Sequence, residues 1–254
     1  KSINTNDFTQ TNDTRQPFVA TTLYNFNPVV DFGGSASADG RFMMYPVGGP
    51  FTANGLSATF FSTTLTRTGG TSGYRDIWGF GGTTATASLT NANSPAVTKL
   101  NNDIVLYDST TSAFSGQFAD NKFLLSDMSY TVNVAGIKYG LNGATANTTQ
   151  TRVTGNSLQA SGSILGSQPE VMNGVMGDMI AYERDLTVAE KVKVRTYSSV
   201  KYGITLPHDY VSASNQVVWD NAANTAYSNN IFGIANDFVS ALHQKQTVSI
   251  NDNH

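Results

Sequence analysis

The sequence predicts an all-β protein, an antiparallel two-sheet sandwich of the jelly-roll type, with one short C-terminal helix near 188–202 and a small β appendix. Three observations predict it. Short apolar stretches recur with turn residues between them and no helical period separating them. Residues 179–184 alternate with period two, Met179, Ala181 and Glu183 facing one way and Ile180, Tyr182 and Arg184 the other. Directly after them comes the one stretch that carries both helix start and helix stop signals.

Residues 1–16 are polar and rich in Asn, Thr and Asp, a loop or edge element. Strands are then expected around 29–32, 41–45, 56–61, 76–80 and 104–107. In the third of these, Leu56, Ala58 and Phe60 share the inward face, and Ser57, Thr59 and Phe61 the outward one. Residues 99–104 and 140–144 read as hairpins. Asn142-Gly143 is the sharper signal, because a type I′ turn needs positive φ at both central residues and Asn-Gly meets that at least cost. Residues 123–125 and 130–134 supply two further strands, and 145–163 a strand with a long surface loop.

Thr187-Val188-Ala189-Glu190 is a capping box, in which the Thr187 hydroxyl and the Glu190 carboxylate satisfy N–H groups that no helical partner reaches. Gly203 stands where a left-handed residue ends a helix, and Pro207 prevents resumption. Beyond Pro207 the texture changes, and His208, His243 and His254 all fall there. Strands are expected at 217–219 and 247–250. So short a stretch makes a poor core by itself. Residues 207–254 therefore either begin a second small β module, the favoured reading, or pack as an extension on a sandwich formed by 1–206.

The closing segment, Gly177-Asp178-Met179-Ile180-Ala181-Tyr182-Glu183-Arg184-Asp185-Leu186 followed by Ala189-Glu190 and Lys201-Tyr202-Gly203-Ile204-Thr205-Leu206, resembles the last strand and terminal helix of concanavalin A-like, laminin-G-like jelly rolls in large secreted cell-surface proteins of Bacteroidota. Gln16-Pro17-Phe18-Val19, Asn25-Phe26-Asn27-Pro28 with Val29-Val30-Asp31-Phe32-Gly33-Gly34, and Ile137-Lys138-Tyr139-Gly140-Leu141-Asn142-Gly143 are similar to earlier motifs of that family. The resemblance covers 1–206 and continues into Val218-Trp219-Asp220 and Asn229-Asn230-Ile231-Phe232-Gly233-Ile234. It implies a fold lacking its first strand, within a longer exported protein.

Composition narrows the function. Of 254 residues, 39% are hydrophobic and 13% charged, so the chain can build a core under a surface of Gly, Ser, Thr and Asn. A net charge of −3 and the lack of any basic cluster argue against nucleic acid. With no cysteine there is neither a disulfide framework nor a thiolate metal site. No apolar run is long enough to span a bilayer.

A glycosidase would need paired carboxylates across a sugar bond. The glutamates are Glu170, Glu183 and Glu190 alone; Glu190 belongs to the cap, and Glu183 with Asp185 lies beside the helix start, where acidic groups are structural. No G-x-S-x-G elbow accompanies the histidines, which read as exposed. The candidate ligand stretch is Tyr74-Arg75-Asp76-Ile77-Trp78, with Tyr74 and Trp78 offering rings to a sugar and Arg75 and Asp76 its hydrogen bonds; the alternative makes Trp78 a core residue. The resemblance implies a rim calcium site using Asp39, Asp76 or Asp178, against ordinary turn capping by the same residues. It also implies O-glycosylation at Ser109 or Thr110 in Asp108-Ser109-Thr110.

The expectation is a non-catalytic adhesion or glycan-recognition module, not an enzyme, on the outside of the cell. Its partners would be surface glycans, other cell-surface proteins, neighbouring domains or copies of itself. The alternatives are an assembly subunit or spacer of a surface appendage, and a glycoside hydrolase or polysaccharide lyase with an atypical site.

Overall fold

Two antiparallel sheets lie face to face in a computed structural model, which describes residues 13–33, 41, 43–45, 57–68, 74–81, 96–100, 103–106, 111–114, 120–131, 134–147, 157–160, 164, 165, 168, 169, 172–228, 231 and 233–248. The larger sheet has seven strands, in spatial order Phe18–Val19, Val30–Asp31, Gly174–Tyr182, Ala58–Thr66, Phe123–Tyr130, Lys138–Leu141 and Ala144–Asn147. The smaller has six: Met43–Tyr45, Ser157–Ala160, Tyr74–Gly81, Ala96–Leu100, Asp103–Leu106 and Thr111–Phe114. One α-helix, Val188–Tyr202, stands among the described residues. This is the expected sandwich with its expected helix.

The seven-stranded sheet is covered on both faces, and alternation sorts its side chains between them. Phe60, Leu124, Met128 and Met176 join Ile77 and Trp78 of the six-stranded sheet in the core between the sheets. Their chain neighbours Phe61, Leu125 and Val175 face the other way and pack with Tyr202, Ile204 and Tyr210. Ala58 and Phe60 thus point inward as the period requires, but Phe61 is buried too, under the helix and the chain that follows it. Leu56 lies outside the described residues. Strand Ala58–Thr66 is buried along its whole length for this reason. The closing strand divides likewise, Met179 and Ala181 against the inter-sheet core, Ile180 and Tyr182 against the second cluster.

The local signals act as their chemistry dictates. Thr187 accepts from the Glu190 N–H at 3.3 Å while the Glu190 carboxylate accepts from the Thr187 N–H at 2.9 Å. Arg184 grips the same carboxylate at 2.6 and 2.9 Å and, with the Thr187 bonds, holds its pKa down at about 2. Gly203 ends the helix at φ 70°. Asn142 and Gly143 turn with φ 46° and 88°, pairing Leu141 with Ala144. Lys99 pairs with Ile104 and Leu100 with Asp103, the other expected hairpin.

Two expectations are corrected. Residues 123–125 and 130 belong to one strand, Phe123–Tyr130, because all eight of its residues are buried between partners on either side. Of the strand expected at 247–250, residues 247 and 248 are in no strand and 249 and 250 lie outside the described residues; the strand found before them is Leu242–Gln244, which pairs with Ala235–Asp237. Residues 207–248, where described, open no core of their own. Tyr210 and Ile231 are members of the second cluster, Trp219 packs against it, and the Tyr210 hydroxyl accepts from Leu206 N–H and donates to the Ile204 carbonyl. The described part of the extension thus contributes to the second cluster.

Candidate functional site

The helix sits on the sheet through polar groups. Its buried residues are Lys191, Arg195, Thr196, Ser198, Ser199 and Tyr202. Arg195 makes a two-pronged ion pair with Asp127 at 2.8 and 2.9 Å, both side chains almost fully buried. Gly140 makes room for it: a Cβ there would stand 2.1 Å from Asp127 Oδ2 and 2.6 Å from Arg195 Nη2. Lys191 donates to Ser129 and lies 3.7 Å from Asp185, which Lys138 holds at 2.6 Å. Burial pushes the Lys191 pKa down. Gly177, at a bulge in the closing strand, leaves space for the Tyr202 ring.

Asp178, a candidate calcium ligand, lies at that bulge with both oxygens taken by Lys201 Nζ at 2.8 and 2.7 Å. Among the described residues no group of three or more His, Cys, Asp or Glu comes together as a metal site. Asp39, Ser109 and Thr110 lie outside the described residues. Tyr74, Arg75 and Asp76 run along strand Tyr74–Gly81, paired with Leu100, Lys99 and Thr98, and their side chains lie outside what is described. Trp78 is described, and it is a core residue. It is 1% exposed, its ring centroid is 5.7 Å from that of Phe60, and its Nε1–H donates to Ser126 Oγ at 3.2 Å. It offers no face to a sugar, which corrects its place in the candidate platform.

The histidines also divide. His243 is exposed as expected, and His254 is outside the described residues. His208 is not exposed: its Nδ1 bonds the Asp209 carbonyl at 2.8 Å, its Nε2 is buried without a partner, and its ring rests against Gly143. The hydrogen bond fixes Nδ1 as the donor and leaves Nε2 an acceptor.

Concavities open where the helix and the C-terminal extension meet. One, of about 610 Å³, lies between the helix, the hairpin of Tyr210–Val211 with Val217–Trp219, and the hairpin of Ala235–Asp237 with Leu242–Gln244. One part of its wall is apolar and aromatic, from Trp219, Phe238, Ile234 and Val239, and another carries hydroxyls and amides, from Ser212, Gln216 and Asn236. Phe238 is 87% exposed. Asp237, the one charged residue of the lining among the described residues, is spent on the backbone N–H groups of Ala213 and Val239 at 3.0 Å each. The Trp219 indole N–H is buried with no acceptor. A second cavity, about 490 Å³, shares Val239 and runs along Tyr182, Arg184 and Lys193. A third, about 510 Å³, lies at the Asn142 turn beside Thr205 and Asn221. Sequence reading found the strand that carries Trp219 but not the groove. The groove's walls come from three elements whose meeting leaves no local signal.

The profile of one family, described as a domain of unknown function (DUF8202), matches residues 190–254, the stretch that builds the helix and this groove. No curated protein matches the sequence. Among solved structures, the chain is similar to the Trypanosoma rangeli sialidase in complex with sialic acid, with a TM-score of 0.52 and 14% identity over 68% of this chain and 28% of that one. It is similar also to the native heptameric SAP-like pentraxin from Limulus polyphemus (0.47, 11%, over 82% and 93%). A third is domain 4 of a GH43 extracellular arabinanase from Geobacillus stearothermophilus in complex with arabinotriose (0.45, 11%, over 69% and 79%). The chain spans little more than a quarter of the sialidase's length. The likeness to the sialidase is one of fold alone, a β-sandwich.

Proposed function

We propose that the chain is a non-catalytic recognition module of a larger exported bacterial protein, and that it binds glycans at a cell surface. The observation that carries this reading is the employment of its acids. Asp31 is held by Arg67, Asp127 by Arg195, Asp178 by Lys201, Asp185 by Lys138, and Glu190 by Arg184. Asp120, Asp209, Asp220 and Asp237 accept from Thr66 and from backbone N–H groups. Among carboxylates whose side chains are described, Glu183 alone stands exposed without such a bond, and one acid does not make the pair that glycosidic cleavage requires. The groove of about 610 Å³ is lined instead by hydroxyls, amides and aromatic rings, groups that can hold a sugar without transforming it.

The fold of the sandwich supports the reading by analogy alone, since a fold hosts many functions. The test is a glycan array probed with the purified chain in calcium and again in chelator, with reducing-end release measured on every glycan that binds. Binding without release is the expected result. Release of new reducing ends would make the chain an enzyme, and an empty array would remove glycan recognition.

A further inference from the structure

We propose that the groove between the helix and the two C-terminal hairpins is the sugar site, and that it takes a neutral oligosaccharide. The proposal rests on the recognition reading above and adds its place and its ligand's charge. At about 610 Å³ the groove has the size of small-molecule sites, roughly 300–1,000 Å³. A pyranose has an apolar C–H face and a rim of hydroxyls, and the groove offers a counterpart to each. Trp219 and Phe238 give aromatic surface, while the Gln216 and Asn236 amides are exposed and make no side-chain bond within the described protein.

Charge decides which sugar. Among the described residues no lysine or arginine lines the groove, and Asp237 is committed to its own loop, so a carboxylated sugar such as sialic acid would enter without a counter-ion there. A neutral sugar meets no such penalty. The whole lining, from Thr196 to Leu242, falls inside residues 190–254, so the stretch matched by the family profile contains the site complete.

The chain's two tryptophans provide the readout, since Trp219 lines the groove and Trp78 is sealed between the sheets. Full-length protein labelled with 5-fluorotryptophan, its two ¹⁹F resonances assigned through Trp219→Phe, is titrated with the strongest-binding neutral oligosaccharide from an array that also carries sialylated glycans. The expected result is a shift of the Trp219 resonance with Trp78 unmoved, and about tenfold weaker binding by Phe238→Ser, the loss of one aromatic face. Phe238 is too exposed for that change to disturb folding, and circular dichroism checks it. Binding that leaves the Trp219 resonance still, or that Phe238→Ser retains in full, overturns the groove while recognition stands. Binding of sialylated glycans alone overturns the neutral ligand. A concentration-dependent dimer abolished by Phe238→Ser, with no response to glycan, assigns the groove to a second copy and overturns the proposal. An array on which nothing binds removes both readings.

Discussion

A proton added to His208 would find no partner. Its Nδ1–H is already given to the Asp209 carbonyl, Nε2 is buried, and the neighbouring charges are the Arg195 cation against Asp209 and Asp127. Burial, with Arg195 assisting, holds its pKa below the ordinary 6.5. The folded state therefore binds fewer protons than the unfolded one in the window just below 6.5. Stability is fully present above that value and is lost as pH falls through it towards the folded pKa. The carboxylates whose folded pKa is lowered, Asp31, Asp185, Glu190 and Asp237, lose their contribution only at more acid pH, below 3.8 to 4.5. Scanning calorimetry between pH 7.5 and 5, values bracketing the imidazole range at about 6.5, should show Tm falling in the wild type and a flatter profile in His208→Gln. Equal slopes in the two proteins would remove His208 as the cause.

At the scale of the element, the helix is held by pairing more than by grease. Lys191, Arg195, Ser198, Ser199 and Tyr202 recur at the spacing of one helical face, yet four of the five are polar, so the stripe is invisible to a search for apolar periodicity. The partners of Arg195 and Lys191, Asp127 and Ser129, lie 68 and 62 residues away in the chain. By contrast, the Thr187–Glu190 cap, Gly203 and the Asn142-Gly143 turn were legible because each acts within a few residues of itself. The site followed the same rule. Trp219 lay in a readable strand, but its groove needed a helix and two hairpins brought together in space. Trp78, in a strand equally readable, could not be told from a surface platform until the second sheet covered it. For the helix the consequence is a sharp asymmetry. Arg195→Met leaves Asp127 charged and buried and should cost about 3–5 kcal/mol, whereas Asp127→Leu with Arg195→Met should recover most of that loss. Gly140→Ala, which forces atoms into the pair, should resemble the single change. Urea unfolding of the four proteins measures it, and a double variant no better than Arg195→Met would mean that the pair contributes more than its charges.

For the whole molecule, the seven-stranded sheet is a shared wall. Phe60 faces one core and Phe61 the other, so neither core can be lost without stripping a face of the same strand. The C-terminal extension is tied in further by polar bonds to the first turns of the chain. The Asn25 side chain donates to the Lys201 carbonyl at 2.9 Å and accepts from Val248 N–H at 2.7 Å, while Asn27 donates to the Lys201 carbonyl at 2.7 Å and to Gln244 Oε1 at 3.1 Å. Two asparagines from one end of the chain thereby satisfy carbonyl groups at the end of the helix and fasten the other end of the chain over them. Such sharing predicts one cooperative transition. Trp78 reports the inter-sheet core and Trp219 the extension, so their ¹⁹F resonances should disappear at the same urea concentration. Ile231→Ala, a deletion in the second cluster only, should cost about 2–5 kcal/mol and lower both midpoints together. Were the extension an independent module, the same substitution would move the Trp219 midpoint and leave that of Trp78 in place.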